Sequence, residues 1–164
     1  MLHPSLRRHL QTFARLRQAC RDDLTALANL ERCSSTTNEL DWSALVADGN
    51  VAIITAHEGE SLVGAAVIRH RRNSATATIA WLLVCPSARG RGVGTLLLDA
   101  AVSSARDGGA AVLVAEAASD DSLVPHLLLS SGFQRGPRQT EPVRFKRLLW
   151  QRREPGTVLR LTYT

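Results

Sequence analysis

The sequence has little lysine, few aromatic residues and only three cysteines. Lys146 is the single lysine among 20 basic residues, aromatic residues make up 4% of the chain, and the formal net charge is +5. So few aromatic side chains offer little surface for stacking on bases, and 15 acidic residues offset much of the positive charge. We therefore expect no nucleic-acid binding. A phosphate group or an acidic substrate remains compatible with this charge.

The cysteines, Cys20, Cys33 and Cys85, lie far apart and form no C-x-x-C pair. This spacing argues against a disulfide framework and a zinc site, so we expect no metal and three thiols that are either buried or inert. No apolar run approaches the roughly 20 residues of a membrane span. The N-terminus also lacks the apolar core of a signal peptide. We therefore expect a cytoplasmic protein that does not bind membranes.

A hydrophobic content of 45% is enough for a folded core. We expect a polar extension over residues 1–12 and a single domain over residues 13–164. Strands are predicted at residues 13–17, 51–56, 62–69, 77–84, 111–115, 147–151 and 158–163, and helices at residues 21–33, 42–46, 95–106 and 122–131. This order predicts an α/β fold with a mixed sheet and helices on both faces.

Two of the predicted helices carry further local signals. In the third helix, the spacing of Leu96, Leu97, Ala100 and Ala101 predicts one buried face. The fourth helix is expected to begin with Ser122 as its N-cap, because a serine side chain accepts hydrogen bonds from first-turn amides.

The most informative segment is the loop that joins the strand at residues 77–84 to the third helix. It contains, in order, Arg89, Gly90, Arg91, Gly92, Val93 and Gly94. Glycines permit close approach of the backbone to a ligand and positive φ angles. A helix N-terminus that follows such a loop attracts anions. The two arginines add charge that suits phosphate oxygens, so the loop predicts a phosphate-bearing ligand.

Two common nucleotide-binding motifs do not fit this loop. A P-loop requires lysine and then serine or threonine after its last glycine, whereas Thr95 directly follows Gly94 here. A dinucleotide fingerprint belongs on the first strand of a βαβ unit, whereas hairpin signals precede this loop. Taken alone, the loop also remains compatible with a glycine turn that binds no ligand.

The loop and its surroundings resemble the GNAT superfamily of acyl-CoA-dependent N-acyltransferases. Arg89, Gly92 and Gly94 match the family signature Arg/Gln-x-x-Gly-x-Gly/Ala, which follows the fourth strand. The resemblance spans residues 13–135 and implies the GNAT fold, with a mixed sheet of six to seven strands that splays between strands 4 and 5. It also implies direct transfer of an acetyl group from acetyl-CoA to an amine of a small molecule or a protein.

The resemblance further implies which residues form the site. The implied CoA-binding residues are Leu82, Leu83, Val84, Arg89, Gly90, Arg91, Gly92, Val93, Gly94, Thr95 and Asp121. Among them, the Val84 amide is the implied donor to the thioester oxygen. Glu116 ends the fifth strand, where many relatives place the general base, although a solvated carboxylate is the alternative.

The sequence departs from the family where relatives usually carry a tyrosine that acts as general acid. Leu128 occupies this position and cannot donate a proton. Ser130, Ser131 or water are the alternatives, and Cys85 is better explained as a buried thiol than as an acyl carrier. This departure leaves open a catalytically weak or inactive acyl-CoA-binding or interaction protein. Many relatives dimerise through terminal strands, so a homodimer is also open.

Overall fold

The computed structural model describes residues 14–34, 40–117, 123–136 and 143–149. The strands are β1 Arg15–Gln18, β2 Val51–Glu58, β3 Ser61–His70, β4 Thr76–Val84, β5 Val112–Ala117, β6 Gln134–Arg135 and β7 Val143–Leu148. The helices are α1 Leu24–Cys33, α2 Trp42–Ala47, α3 Val93–Asp107 and α4 Leu123–Ser130, and 3-10 turns cover Arg21–Asp23 and Pro86–Ala88. The predicted extension at residues 1–12 and strand at residues 158–163 lie outside the described residues, and the single domain stays a prediction.

The strands form one seven-stranded sheet in the order β1-β2-β3-β4-β5-β7-β6. The β4–β5 pair is parallel and the other neighbouring pairs are antiparallel. The β2–β3 hairpin turns at Gly59, whose φ of 58° favours glycine. The sequence prediction of a mixed α/β sheet is therefore confirmed.

Helices cover both faces of this sheet, as the sequence predicts. Helices α3 and α4 share one core with the sheet, which includes Leu97, Leu98, Leu113, Leu128 and Phe145. Helices α1 and α2 form a second core on the opposite face, which includes Leu27, Leu30, Trp42, Leu45 and Val67. Within the described ranges, no helix is both long and apolar enough to cross a membrane.

Helix α3 lies very close to β3 because residue 64 is a glycine. A Cβ at Gly64 would lie 2.8 Å from Cδ1 of Leu97 and 3.2 Å from Cγ1 of Val93. A side chain here would push the helix away from the sheet, since cores as dense as this one do not accept an added methyl without strain. The contact fixes the first two turns of α3 against the middle of the sheet.

Two local predictions are wrong. The strand expected at residues 147–151 lies at Val143–Leu148, where its residues pair with β5. Helix α3 begins two residues before Thr95, and its buried residues are Val93, Leu97, Leu98, Ala101, Val102 and Ala105. Leu96 and Ala100 are only half-buried. The apolar run in this helix is wide, so its spacing alone does not fix which stripe faces the sheet.

The three cysteines are free but not all buried. Cys20 and Cys33 are exposed and Cys85 is half-buried, and all three are free. Cys20 precedes the first 3-10 turn and Cys33 is the last residue of α1, so both lie where the chain leaves the core. The Sγ atom of Cys85 lies 3.2 Å from Oγ of Ser87.

A buried carboxylate ties β1 to the start of α1. The oxygens of Asp23 accept hydrogen bonds from both terminal nitrogens of Arg17, at 2.7 and 2.6 Å, and from the amide of Cys20 at 2.8 Å. The Asp23 side chain is 6% exposed. The Arg17 guanidinium, followed by the Cys20 amide, lowers the pKa of Asp23 from 3.8 to about 2.

We expect this carboxylate to make the fold acid-sensitive. The folded pKa lies below the unfolded one, so the stabilisation is complete above about pH 4 and is lost as pH falls towards 2. Because Arg17 is half-exposed, we expect a contribution of about 1–2 kcal/mol. Urea unfolding of Asp23→Asn should show this deficit at pH 7 and little deficit at pH 2. Asp22→Asn, in the same turn but exposed, should match the wild type at both pH values.

Candidate active site

The candidate site begins where β4 and β5 separate. Their parallel pairing ends at Ile79 and Ala115. The next residue of β4, Ala80, is an extra residue in the ladder with β3, since consecutive β3 residues pair with Ile79 and Trp81. A bulge of this kind bends its strand and increases the local twist. The remainder of β4 therefore diverges from β5, and the predicted splay is confirmed.

The divergence opens a cleft of about 200 Å³ in the sheet. It is lined by Ile79, Ala80, Trp81, Leu82, Leu83, Leu98, Ala115, Glu116, Ala117, Val124 and Leu128. Most of these side chains are apolar, and Glu116 is the only acidic or basic residue among them. The cleft thus combines an apolar passage between α3 and α4 with one carboxylate on the wall formed by β5.

The main chain of β4 supplies hydrogen-bonding groups along this cleft. The amide of Cys85 donates to the oxygen of Val63 at 2.8 Å, so this residue pair faces the ladder with β3. Residues of an antiparallel pair alternate between the two sides of a strand. The polar main-chain groups of Leu83 therefore face β3, and those of Leu82 and Val84 face the cleft. Beyond Ile79 no β5 residue pairs with these groups in the described ladder.

The glycine loop lies at one end of the cleft. Gly90 and Gly92 have φ angles of 73° and 90°, which explains why both are glycines. Gly92 is the N-cap of α3, and its oxygen accepts the first helical hydrogen bond, from the amide of Leu96 at 3.0 Å. The amides that precede this bond belong to Val93, Gly94 and Thr95. They have no partner within the helix and point, with the positive end of the helix dipole, into the loop.

Gly94 joins this loop to the cleft. A Cβ at Gly94 would lie 3.2 Å from Cδ2 of Leu127 and 3.8 Å from Cγ2 of Val84. The first turn of α3 therefore touches both the end of β4 and helix α4, which flank the cleft. The anion-attracting helix end therefore lies next to the strand and the helix that line the cleft.

The structure gives both loop arginines partners within the protein. Nε of Arg89 donates to the oxygen of Val84 at 3.1 Å. Nη2 of Arg91 lies 2.8 Å from Oε2 of Glu58, at the end of β2. Both guanidinium groups border the loop, where the Glu58 carboxylate offsets the charge of Arg91. The sequence could predict that charge but not these two contacts.

Glu116 forms an ion pair that the sequence did not reveal. Its Oε1 accepts hydrogen bonds from Nε and Nη2 of Arg144, at 3.2 and 3.0 Å. The two residues are cross-strand neighbours on β5 and β7, and their side chains are 42% and 55% exposed. An exposed pair of this kind contributes only about 0.2–1 kcal/mol to stability. The pair places a guanidinium beside the Glu116 carboxylate on the cleft wall.

Helix α4 presents an apolar wall to the cleft. Leu128 lines the cleft and is 2% exposed. Ser130 is exposed and donates to the oxygen of Leu127 at 2.9 Å, and His126 is exposed as well. The side chains that α4 turns towards the cleft therefore cannot donate a proton.

Trp81 is a second wall residue that the sequence analysis did not single out. Trp81 lines the cleft, and the guanidinium carbon of Arg69 lies 5.4 Å from the centroid of its ring. A signal was present in the sequence, since tryptophan in a strand that ends at a ligand-binding loop is an unusually large side chain for a packed sheet. The direction of the Trp81 side chain depends on the bulge at Ala80, and the sequence does not indicate this bulge.

Some site predictions fall outside what the structure describes. Asp121, the predicted contact on the pantetheine side, and Ser122, the predicted N-cap, lie outside the described residues. In the described parts of the chain, no group of three or more histidine, cysteine, aspartate and glutamate side chains is arranged to hold a metal ion.

This combination of a splayed mixed sheet and a glycine-rich helix start has a clear counterpart among known proteins. The model of the GNAT acetyltransferase family matches residues 13–133, and the chain belongs to this family. Among curated proteins, no sequence match is found.

Solved structures share the fold at low sequence identity. The GNAT domain of PAT from S. lividans aligns with a TM-score of 0.73 and 18% identity, over 82% of this chain and 90% of that one. An N-acetyltransferase from Staphylococcus aureus Mu50 aligns with a TM-score of 0.70 and 20% identity, over 85% of this chain and 100% of that one. The PaiA N-acetyltransferase from Thermoplasma acidophilum was solved in complex with coenzyme A. It aligns with a TM-score of 0.69 and 12% identity, over 84% of this chain and 99% of that one.

Proposed function

We propose that this protein transfers an acetyl group from acetyl-CoA directly to an amine. The observation that carries this proposal is that an anion-attracting helix end lies beside a cleft with one carboxylate on its wall. A phosphate-bearing, extended and largely apolar donor suits such a site. Family membership supports the same donor, and the structural relative from Thermoplasma acidophilum was solved with coenzyme A.

The proposed donor-binding groups are mainly those of the backbone. The amides of Gly92, Val93, Gly94 and Thr95, with Gly90 beside them, would bind the diphosphate, because first-turn amides lack helical partners. The cleft-facing main-chain groups of Leu82 and Val84 would bind the pantetheine arm as if it were an added strand. Leu83 would contribute its side chain to the cleft wall. Arg89 and Arg91 would add positive charge at the rim.

The proposed chemistry is a single acyl transfer in which Glu116 removes the proton. A protonated amine cannot attack, so a carboxylate that accepts its proton, directly or through water, is required at the cleft. The amine nitrogen then forms a bond to the acetyl carbon as the carbon–sulfur bond breaks and the CoA thiolate leaves, and the nitrogen loses its second proton to water to give the neutral amide. The Val84 amide would donate to the thioester oxygen as negative charge develops there.

No side-chain acid is assigned to the departing sulfur. Leu128 is apolar, and its neighbours in this part of the cleft, Val124 and Leu98, are apolar too. A thiol of ordinary acidity, with a pKa of about 8.5, is a workable leaving group as a thiolate. The thiolate would take its proton from water after release.

The proposal is tested with purified protein, acetyl-CoA and a panel of acidic, neutral and basic amines, with release of free thiol as the readout. We expect thiol release that depends on the amine, together with the mass of one acetyl group on the product. Saturable CoA binding without turnover on any amine would contradict an acetyltransferase and support an acyl-CoA-binding module. No saturable CoA binding would contradict both.

A further inference from the structure

We propose that the amine acceptor carries negative charge close to its amine, and that Arg69 binds this charge at the rim of the cleft. The inference rests on the proposed acetyl transfer and names the chemical class of the acceptor. The group that Arg69 would bind is a carboxylate on the same molecule as the amine. A free acidic amino acid and an acidic peptide are the two sources of such a group.

Arg69 is fixed beside the reacting end of the site by Trp81. Trp81 forms part of the cleft wall, and the guanidinium carbon of Arg69 lies 5.4 Å from the centroid of the Trp81 ring. A guanidinium held over an aromatic face keeps its N–H edge free to bind a carboxylate. Arg69 is also exposed to solvent. A cation is therefore held at the cleft rim, on the side opposite the Glu116 wall.

A second cavity continues from Arg69 away from the cleft. It has a volume of about 250 Å³ and lies beneath the β3–β4 turn, where Arg69, Arg71 and Arg72 face Asp48. Asp48 already accepts hydrogen bonds from the amide and side chain of Asn50, at 2.9 and 3.1 Å. Three arginines against this one carboxylate leave the cavity positively charged, so it suits a second acidic group on the same acceptor.

The cleft and the second cavity lie next to each other along the sheet. Arg69, which lines the second cavity, pairs with Thr78, and Thr78 directly precedes Ile79 of the cleft wall. An acceptor whose amine enters the cleft could therefore place one carboxylate at Arg69 and a second acidic group in the adjoining cavity. An acidic peptide segment extends further into this cavity than a free amino acid does, and the experiment separates these two sources.

The test compares acceptors that differ only in charge. Three tetrapeptides with a free N-terminal alanine carry two glutamates, two glutamines or two lysines, and free glutamate and glutamine form a second series. We expect the wild type to show a KM about tenfold lower for the acidic peptide than for the neutral one, with a smaller difference between the amino acids. This preference should fall as salt increases, since exposed charges are screened.

Arg69→Gln should remove the preference by raising KM for the acidic peptide about tenfold, with kcat and the KM for acetyl-CoA unchanged. Arg69→Lys should keep part of the preference for the acidic peptide, because lysine retains the positive charge but cannot stack a planar group on Trp81. Arg15→Gln, on the edge strand β1, removes the same charge and should match the wild type, because Arg15 is exposed and pairs with the end of β2 opposite to the end that pairs with Arg69.

Two outcomes would overturn the inference, and they are distinguishable. If the wild type acetylates amines without favouring the acidic peptide, or if Arg69→Gln keeps the preference, this inference is wrong and the acetyltransferase proposal stands. If CoA binds but no amine in either series is acetylated, the proposed function fails and this inference fails with it.

Discussion

Replacing Glu116 by glutamine should lower kcat for amine acetylation by about 10²- to 10⁴-fold, the range that a positioned general base contributes. Glutamine has nearly the same shape and can still accept a hydrogen bond from Arg144, so the cleft wall should keep its geometry. It cannot take a proton from an ammonium group. Steady-state kinetics with saturating acetyl-CoA, together with a CoA binding measurement, would show a loss in kcat with little change in CoA affinity.

Arg144→Gln is the matched control for Glu116→Gln. It breaks the same ion pair but leaves the carboxylate in the cleft. We expect Arg144→Gln to retain most of the activity, because the pair itself contributes little to stability. Equal losses in both variants would indicate that the ion pair, and not the basicity of Glu116, is what the reaction needs. Near-normal turnover in Glu116→Gln would remove Glu116 from the mechanism altogether.

Replacing Thr95 by aspartate should weaken CoA binding about 10- to 100-fold, while leaving the fold equally or more stable. Thr95 lies in the first turn of α3, where a negative side chain favours the helix dipole by about 0.5 kcal/mol. The same charge beside a bound diphosphate is repelled by several kcal/mol before screening. Calorimetric titration with CoA and thermal unfolding measure the two effects separately.

The opposite signs of these effects make the experiment specific. A variant that binds CoA poorly because it is misfolded would lose stability as well. Thr95→Val controls for loss of the hydroxyl, and Ser103→Asp places the same charge on the exposed face of α3, away from its N-terminus. Both controls should bind CoA within about twofold of the wild type. An unchanged CoA affinity in Thr95→Asp would mean that the diphosphate binds elsewhere.

The sequence was sufficient for those parts of the fold that depend on neighbouring residues. The hairpin between β2 and β3 has a local signal in its glycine-containing turn, and the loop before α3 has one in its glycines. The prediction of the buried face of α3 was wrong because Leu96, Leu97 and Leu98 are consecutive. Any of them satisfies a helical repeat, and only the close approach at Gly64 decides which ones are buried.

The unpredicted parts of the site depend on residues far apart in the chain. Glu116 and Arg144 are 28 residues apart and meet only through the β5–β7 register. The strand that carries Arg144 was expected several residues too late, so this pair could not be foreseen. Likewise, the sequence marks residues 82–84 as a strand end, but the ladder with β3 decides which amides face the cleft. The contacts of Arg89 and Arg91 also require the folded chain.

The cleft is a consequence of strand register, because the extra residue Ala80 in β4 makes this strand diverge from β5. Its walls are held by the ladder with β3 on one side and by the tightly seated α3 on the other. Deleting Ala80 from β4 would allow β4 and β5 to pair beyond Ile79 and Ala115. The cleft would then close, although the protein had lost only one residue.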